Sequence, residues 1–411
     1  MRIREHERGQ ALIVIVFAII GLVGITALAV DGGNAFLETR RAQNAADTAA
    51  LGGALARIRG ADWVSVVYAI AEDNGFNNDG ISNVVAVNSP PISGPNEGNI
   101  EYIQVIITAN TPTHFAGIVG IQQTTSQVQA VARTKTPVIA EILDGNAVIS
   151  LAPTSNCSNH KAFWVHGEAT LDITNAGIFV NSNNETCALI EEGSGSIRIE
   201  GGEITVVGGA SIQKPHLLTP FPPHTGAVPI SYPPPFLMPK FGCEEKEAVI
   251  SEDGSSMSAG AWDEVFPPEG VHFLESGVYC LGGDFIVNGG YALQGNHVVF
   301  KVEEGMVRWG NGAEINLGAP VSGELAGLLI YLPMDNNSRV VLNGNENSAV
   351  RGTILAPASD IRINGNESSS GFHSQIIGYR VEADGTSNVV IIYNDDQNYD
   401  ALTMPEIQLI Q

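Results

Sequence analysis

Residues 8–59 read RGQALIVIVFAIIGLVGITALAVDGGNAFLETRRAQNAADTAALGGALARIR. Within this stretch, residues 11–30 form an apolar run of 20 residues without a charge. That is about the length an α-helix needs to cross a hydrocarbon core of ~30 Å. The run continues without proline into an alanine-rich polar stretch, so we expect one helix to leave the membrane and continue beyond it. Membrane lipid is the expected partner of residues 11–30.

The charges on either side of the apolar run predict its orientation. Three arginines precede the run, whereas Asp31 and Glu38 come before the next cations. A basic leader favours a cytoplasmic N-terminus, so we expect residues 1–10 to be a cytoplasmic leader and the bulk of the chain to be extracytoplasmic. The competing interpretation is a cleaved signal peptide that ends in the small residues at 27–29.

The same stretch resembles the N-terminal segment of the TadE/TadG-like proteins of Flp-type, or tight-adherence, pilus assembly. The residues that carry the resemblance are Arg8, Gly9 and Gln10 before the apolar run, Asp31 at its end, and Gln43, Asn44, Ala45, Ala46 and Asp47 beyond it. The resemblance implies a small pilin-like α+β domain over 31–137 and a location in a bacterial cell membrane. It also implies a non-enzymatic minor component or surface anchor of pilus assembly or adhesion, with other pilus-assembly proteins as partners.

One position departs from the pattern of type IV pilins. Such pilins carry Glu at the fifth position after their cleavage glycine, and the fifth position after Gly9 is Val14. The resemblance therefore favours an uncleaved, pseudopilin-like anchor.

The charge of the chain excludes one class of partner. The 411 residues carry a net charge of −24, and nearly all of the acidic excess lies beyond residue 60. An acidic surface repels phosphate backbones, so we expect no nucleic-acid partner.

The cysteines indicate an oxidising compartment. All four, Cys157, Cys187, Cys243 and Cys280, lie in the part predicted to be outside the cytoplasm, where an even number indicates disulfides. Their spacing favours pairing the first two and the last two, although three pairings are open. No short C-x₂-C pair suggests a zinc site.

The order of patterns along the chain predicts the domain organisation. A short helix over 61–76 ends at an Asn-Gly signal, and strand-like alternation follows at 100–109 and 126–136. From residue 145 the chain changes to short apolar strands separated by Gly and Asn. We expect a first β-solenoid part over 145–213, a Pro-rich strap or linker over 214–240, a second part over 241–400, and a tail over 401–411.

A repeat in the last third predicts the architecture. Glycines recur at intervals of 20 or 21 residues at the ends of short strands, at Gly289 and Gly310, and at Gly344, Gly365 and Gly385. Three short strands per interval, with a turn at each corner, are what one coil of a parallel β-helix requires. The predicted fold is therefore mainly β, a transmembrane helix and pilin-like domain followed by a right-handed parallel β-helix. A jelly roll or sandwich is the alternative.

The motifs for chemistry are few. Adjacent carboxylates such as Asp395 and Asp396 point to opposite sides of a strand and do not form an acid–base pair. The sequence has no H-E-x-x-H, no G-x-S-x-G and no Walker motif. We expect no enzyme activity, no metal and no cofactor, with a carbohydrate-binding or carbohydrate-active β-helix as the alternative.

Overall fold

The computed structural model describes residues 8–243, 246–343, 345–364, 372–385 and 388–410, with side chains left undescribed at 8–10, 119 and 144. The chain divides into two compact units. Unit 1 comprises Met1–Pro137 together with Met404–Gln411, and unit 2 comprises Val138–Thr403. Unit 2 is therefore one continuous insertion in the sequence of unit 1.

Unit 1 contains two helices and a four-stranded antiparallel sheet. Helix α1 spans Arg8–Ile58 and α2 spans Trp63–Asp73. The strands, in their order across the sheet, are β1 (Asn83–Asn88), β2 (Tyr102–Pro112), β3 (Gln123–Lys135) and β32 (Glu406–Ile410). A 3₁₀ turn, Ala116–Val119, lies between β2 and β3. Helix α2 ends before Asn74, in agreement with the Asn-Gly signal.

The core of unit 1 forms where α1 lies against the sheet. Alanines at helical spacing on α1 are fully buried, at positions 42, 45, 46, 49, 50 and 54. They pack against β-branched residues of the sheet, including Ile103, Val105 and Ile107. Small side chains let the helix axis approach the sheet closely, and alanine has the best helix propensity, so one residue type meets both requirements.

The tail expected over 401–411 is replaced by two strands. Strand β31 (Asp400–Leu402) pairs with β4 (Ile139–Glu141) in unit 2. Strand β32 pairs with β3 in unit 1, with Leu409 opposite Ala132 and packed against the unit 1 core. Residues 406–410 are held in place because β32 adds to the edge strand β3, which lies more than 270 residues earlier in the chain.

Unit 2 is a β-solenoid of short strands with three faces. Its strands are β4 (Ile139–Glu141), β5 (Val148–Ser150), β6 (Phe163–Val165), β7 (Thr170–Thr174), β8 (Ile178–Val180), β9 (Leu189–Glu191), β10 (Ser196–Glu200), β11 (Ile204–Val206), β12 (Ala210–Ile212), β13 (Leu218–Thr219), β14 (His224–Thr225), β15 (Ser256–Met257), β16 (Gly260–Trp262), β17 (Phe273–Leu274), β18 (Gly277–Leu281), β19 (Phe285–Val287), β20 (Ala292–Asn296), β21 (Val298–Val302), β22 (Val307–Trp309), β23 (Glu314–Gly318), β24 (Leu328–Tyr331), β25 (Val340–Leu342), β26 (Ala349–Arg351), β27 (Thr353–Asn364), β28 (Phe372–His373), β29 (Ile376–Asp384), β30 (Asn388–Ile392) and β31 (Asp400–Leu402). Three short 3₁₀ turns lie at Ile142–Gly145, Pro215–Leu217 and Asp395–Gln397.

Parallel pairing between successive coils builds each face. Face A has the order β13-β10-β7-β30-β28-β26-β23-β20-β17-β15. Face B has the order β14-β11-β8-β5-β29-β27-β24-β21-β18-β16, and face C has the order β12-β9-β6-β29-β27-β25-β22-β19. Inward-pointing aliphatic and aromatic side chains fill the interior as one continuous core. The parallel pairing confirms a mainly β, β-helix-like solenoid and excludes the jelly roll; its right-handedness stays a prediction.

The two solenoid parts form a single stack wound from its middle. The first part starts at β5 and winds outward to β14. The chain then crosses to the opposite end and winds back from β16 to β29. There β29 pairs in parallel with β5 and β6, with Ile376 opposite Val148 and Val381 opposite Phe163. We call this junction between the first and last coils the seam.

The chain between the two parts covers face B. The segment expected as a strap over 214–240 begins with β13 and β14, which add to the stack. Residues 226–243, called the strap below, then cross the coils. The seven steps from β11 to β18 amount to ~34 Å at ~4.8 Å per step, within reach of 18 extended residues at ~3.1 Å each. Strap side chains such as Phe236 pack with outward apolar residues of face B, including Phe179 and Leu355.

Candidate functional site

The first functional element is the exposed part of α1. From Ala11 to Val30 every residue except the half-buried Ala27 is exposed, although nearly all of them are apolar. Helix α1 is the one helix in the described part of the chain that is long and apolar enough to cross a membrane. A helix that is apolar on all sides and covered by no protein requires an apolar solvent.

Asp31 joins this helix to the sheet domain. Its carboxylate accepts hydrogen bonds from three consecutive backbone N–H groups, those of His114 (2.8 Å), Phe115 (3.0 Å) and Ala116 (2.7 Å). Only 8 % of Asp31 is exposed. The side chain thus satisfies the N–H groups at the start of a 3₁₀ turn more than 80 residues away, an arrangement that charge strengthens. The Asp at the exit of the span therefore has a structural role.

Four other residues of the resemblance, Gln43, Ala45, Ala46 and Asp47, also have structural roles. Ala45 and Ala46 are fully buried, as described above. The Gln43 amide donates to the Asp47 carboxylate at 2.8 Å and to the backbone carbonyl of Gln129 on β3 at 3.1 Å. Asn44 is exposed. Arg8, Gly9 and Gln10 lie in the helix backbone, and their surroundings fall outside the described side chains.

The four cysteines form two disulfides in the structure. Cys157 pairs with Cys187, and Cys243 pairs with Cys280. The first bond joins neighbouring coils next to the strand β9. The second attaches the end of the strap to β18 on face B, so it fixes the crossing segment at its far end.

The predicted glycine corners stack where face C ends. A Cβ on Gly310 would lie 2.6 Å from the backbone N of Gly289, which is the corner one coil earlier. Gly385 has a φ of +118° and stacks on Gly167 of the first coil, so the corner continues across the seam. Such close backbone approach and positive φ require glycine. Gly344 and Gly365 lie outside the described residues.

A charged cluster that the sequence analysis did not identify lies across the seam on face C. Two imidazole nitrogens of His166 meet two different carboxylates, Glu382 at 2.9 Å and Asp384 at 3.4 Å. Arg339 donates to Glu382 at 2.9 Å, and Arg362 donates to Asp384. His166 is on the first coil and the two acids are on the last. The side chains of His166, Glu382 and Asp384 are close enough together to hold a metal ion. The two carboxylates, however, already accept hydrogen bonds from two guanidinium groups. The cluster therefore has the chemistry of an ion-pair network that ties the seam together.

A cleft of about 290 Å³ lies beside this cluster. Its charged lining residues are Lys161, Arg339, Asp360, Arg380 and Glu382. Each of the three cations is paired with a carboxylate, Lys161 with Glu192 at 3.1 Å, Arg339 with Glu382, and Arg380 with Asp360 at 3.3 Å. The cleft thus offers balanced charge and no free cation among its lining residues.

The aromatic residue of the cleft is covered on both sides. Trp164 has the His166 ring stacked 3.5 Å from its centroid and the Lys161 amine 3.3 Å from the same centroid. Two groups so close to one centroid cannot share a face of the ring, so they occupy opposite faces. Trp164 therefore has no open face on which a sugar could stack. The alternation in Arg380-Val381-Glu382-Ala383-Asp384 is the sequence signal that predicts one charged strand face here.

The exposed apolar helix, continuous with the core helix of a folded domain, defines a membrane-anchored protein with a large β-solenoid insertion. Residues 9–56 match the family model described as "Putative Flp pilus-assembly TadE/G-like". The N-terminal segment is therefore TadE/G-like. No curated protein and no solved structure matches the chain.

Proposed function

We propose that this protein is a non-enzymatic, single-pass envelope protein that serves as a minor component or surface anchor of Flp/Tad-type pilus assembly or adhesion. Its N-terminus lies in the cytoplasm, residues 11–30 cross the membrane, and the rest of unit 1 and all of unit 2 lie outside. The observation that carries the proposal is the continuity of α1. One helix supplies the TadE/G-like match, the exposed apolar span and the alanine face of the unit 1 core.

Two features support the extracytoplasmic location. The first is the basic leader before the span, which favours a cytoplasmic N-terminus. The second is the pair of disulfides in unit 2, because disulfides persist in oxidising compartments and are rare in the cytosol.

The insertion topology supports display as the role of the solenoid. Unit 1 contains the anchor and a complete sheet, while unit 2 adds a long outer surface at a single point in that fold. Partners of pilus assembly would contact the anchor and unit 1, and the solenoid would present faces A and C to the environment. Face B is covered in part by the strap.

An in-frame deletion in the source bacterium tests the role. We expect fewer Flp pili on electron micrographs and weaker surface attachment, both restored by the full chain on a plasmid. A matched variant in which an unrelated apolar span replaces residues 11–30 separates membrane anchoring from specific helix docking. Unchanged pilus number and attachment in the deletion strain would contradict the proposal.

Orientation and processing are tested in the same strain. Protease added to spheroplasts should degrade the solenoid and leave an N-terminal tag protected, and mass spectrometry of the membrane fraction should find a mature chain starting at or near Met1. A mature chain that starts at Val30 and is found in the medium would show that the apolar segment is cleaved and does not anchor the protein. Turnover of any member of a broad polysaccharide panel by the purified protein would instead favour the carbohydrate-active alternative.

A further inference from the structure

The loop between β2 and β3, residues 113–122, is held at the point where α1 leaves the apolar span. Asp31 is the first residue after that span, and it accepts the three backbone hydrogen bonds from residues 114–116 described above. A contact this close fixes the height of the loop along the helix axis. The loop therefore lies level with the end of the span.

That height corresponds to the polar interface of a bilayer. The hydrocarbon core is ~30 Å thick and the whole bilayer ~40–45 Å, which leaves a headgroup layer of roughly 5–7 Å on each side. If the span fills the hydrocarbon core, Asp31 and the loop bound to it stand within this layer.

The composition of the loop suits that layer. Ile118 is 80 % exposed and Ile121 is 52 % exposed, so both present apolar surface outside the protein. Residues 113–132 contain no Asp, Glu, Lys or Arg in a chain with a net charge of −24. Ile118 and Ile121 are the large apolar side chains that this loop exposes. Leaving such side chains in water is unfavourable, at ~25 cal/mol per Å² of apolar surface.

We propose that loop 113–122 is a second membrane contact, with Ile118 and Ile121 inserted at the boundary between headgroups and acyl chains. Unit 1 then rests on the bilayer at two points, the span and the loop, and Asp31 couples them. The occupant of this surface is lipid because Asp31 holds the loop at the end of the membrane-spanning helix. The contact depends on membrane anchoring and not on the pilus role. Because the loop has no charged residue, its insertion should not require anionic lipid.

The test places a fluorophore on the loop of the full chain in proteoliposomes. All four native cysteines are in disulfides, so Ile118→Cys or Ile121→Cys supplies a single free thiol for an environment-sensitive NBD label. Matched controls are Ile92→Cys and Ile100→Cys, which are similarly exposed at 64 % and 68 %. They lie between β1 and β2 at the opposite end of the sheet, because Asn88 pairs with Gln104.

We expect blue-shifted emission at positions 118 and 121, with quenching by lipids that carry a nitroxide near the headgroup. This result should be the same in neutral vesicles and in vesicles containing anionic lipid, and the controls should show neither effect. Equal behaviour of loop and control positions would overturn the proposal. A blue shift that depends on protein density without lipid quenching would also overturn it, because it would identify a second copy of the chain as the occupant.

A second variant tests the coupling through Asp31. In Asp31→Ala the loop loses all three hydrogen bonds to α1, while the apolar span is unchanged. We expect the protein to remain in the membrane fraction with weaker nitroxide quenching at position 118. Far-UV circular dichroism of both proteins shows whether unit 1 is still folded. Quenching equal to that of the parent in a folded variant would show that Asp31 does not position the loop.

Discussion

Val138 and Thr403 are 265 residues apart and hydrogen-bond to each other. The Thr403 N–H donates to the Val138 carbonyl at 2.9 Å, and the Val138 N–H donates to the Thr403 hydroxyl at 3.1 Å. The chain therefore enters and leaves the solenoid at one place. This geometry makes the solenoid an insertion that a short turn can replace.

We expect a variant with residues 138–403 replaced by a short Gly-Ser turn to fold and to stay in the membrane. The sheet order β1-β2-β3-β32 and the unit 1 core need no residue of unit 2. Circular dichroism, thermal unfolding and membrane fractionation check this outcome. Removal of residues 404–411 from the same variant is the matched control, because it deletes the strand β32. The control should unfold at a lower temperature, and equal stability of the two variants would contradict the role assigned to β32.

A larger residue in the alanine face should separate α1 from the sheet. Ala49→Leu introduces a branched side chain at a fully buried position, and overpacking of this kind typically costs 1–3 kcal/mol. Thr48→Leu, at the exposed neighbouring position, should change the free energy of unfolding far less. Denaturant unfolding of the solenoid-free protein measures both. A similar cost for the two variants would show that helix propensity, and not packing, determines the effect.

Asn181 should be the main polar attachment of the strap to face B. Its side chain accepts from the Ile230 N–H at 2.7 Å and donates to the Ile230 carbonyl at 2.8 Å, so it pairs with the strap as a strand would. Only 1 % of Asn181 is exposed. We expect Asn181→Ala to destabilise unit 2 by about 1–3 kcal/mol, because it leaves the backbone N–H and carbonyl of the half-buried Ile230 without this partner.

Limited proteolysis gives a local readout of the same change. The strap of the Asn181→Ala variant should be cleaved faster than that of the parent, while Asn159→Ala, an exposed position, should behave like the parent. Cleavage of the strap at the parental rate would mean that apolar packing alone holds it.

Alkaline pH should weaken the packing of the strap on face B. Burial, followed by the negative charge of Asp335, raises the pKa of Tyr331 to about 12, from an ordinary value of 10.0. The ring of Tyr331 packs 5.9 Å from that of Phe241 in the strap. Because the neutral phenol is favoured in the folded state, its contribution to stability is complete below pH 10 and is lost as the pH rises toward 12. Tyr331→Phe should lose less stability than the parent between pH 10 and 12, as measured by unfolding at each pH. Parallel pH profiles would contradict this assignment.

The anchor and the repeat could be predicted from sequence because both depend on local pattern. An uninterrupted apolar run specifies a span by its length alone, and the glycines at 289, 310 and 385 mark corners because no other residue fits there. The spacing of the cysteines favoured pairing the first two and the last two, but it left three pairings open, and the structure has Cys157–Cys187 and Cys243–Cys280. The sequence marked Asp31 only as one of the residues that carry the resemblance. It did not predict the role of Asp31, because the hydrogen-bond partners of this residue are more than 80 residues away.

The sequence by itself therefore determined the elements of this protein: a span continuous with an alanine-faced helix, short strands with glycine corners, and a Pro-rich crossing segment. Only the tertiary structure decided their order in space. The stack is wound from its middle, so the seam joins strands near residues 150 and 380, and the last strand returns to unit 1. Parallel coils pair through backbone groups that every residue has, so nothing in the local sequence specifies which coil lies next to which. That choice depends on side-chain packing across the seam, as between Phe163 and Val381, and on the ions that meet around His166.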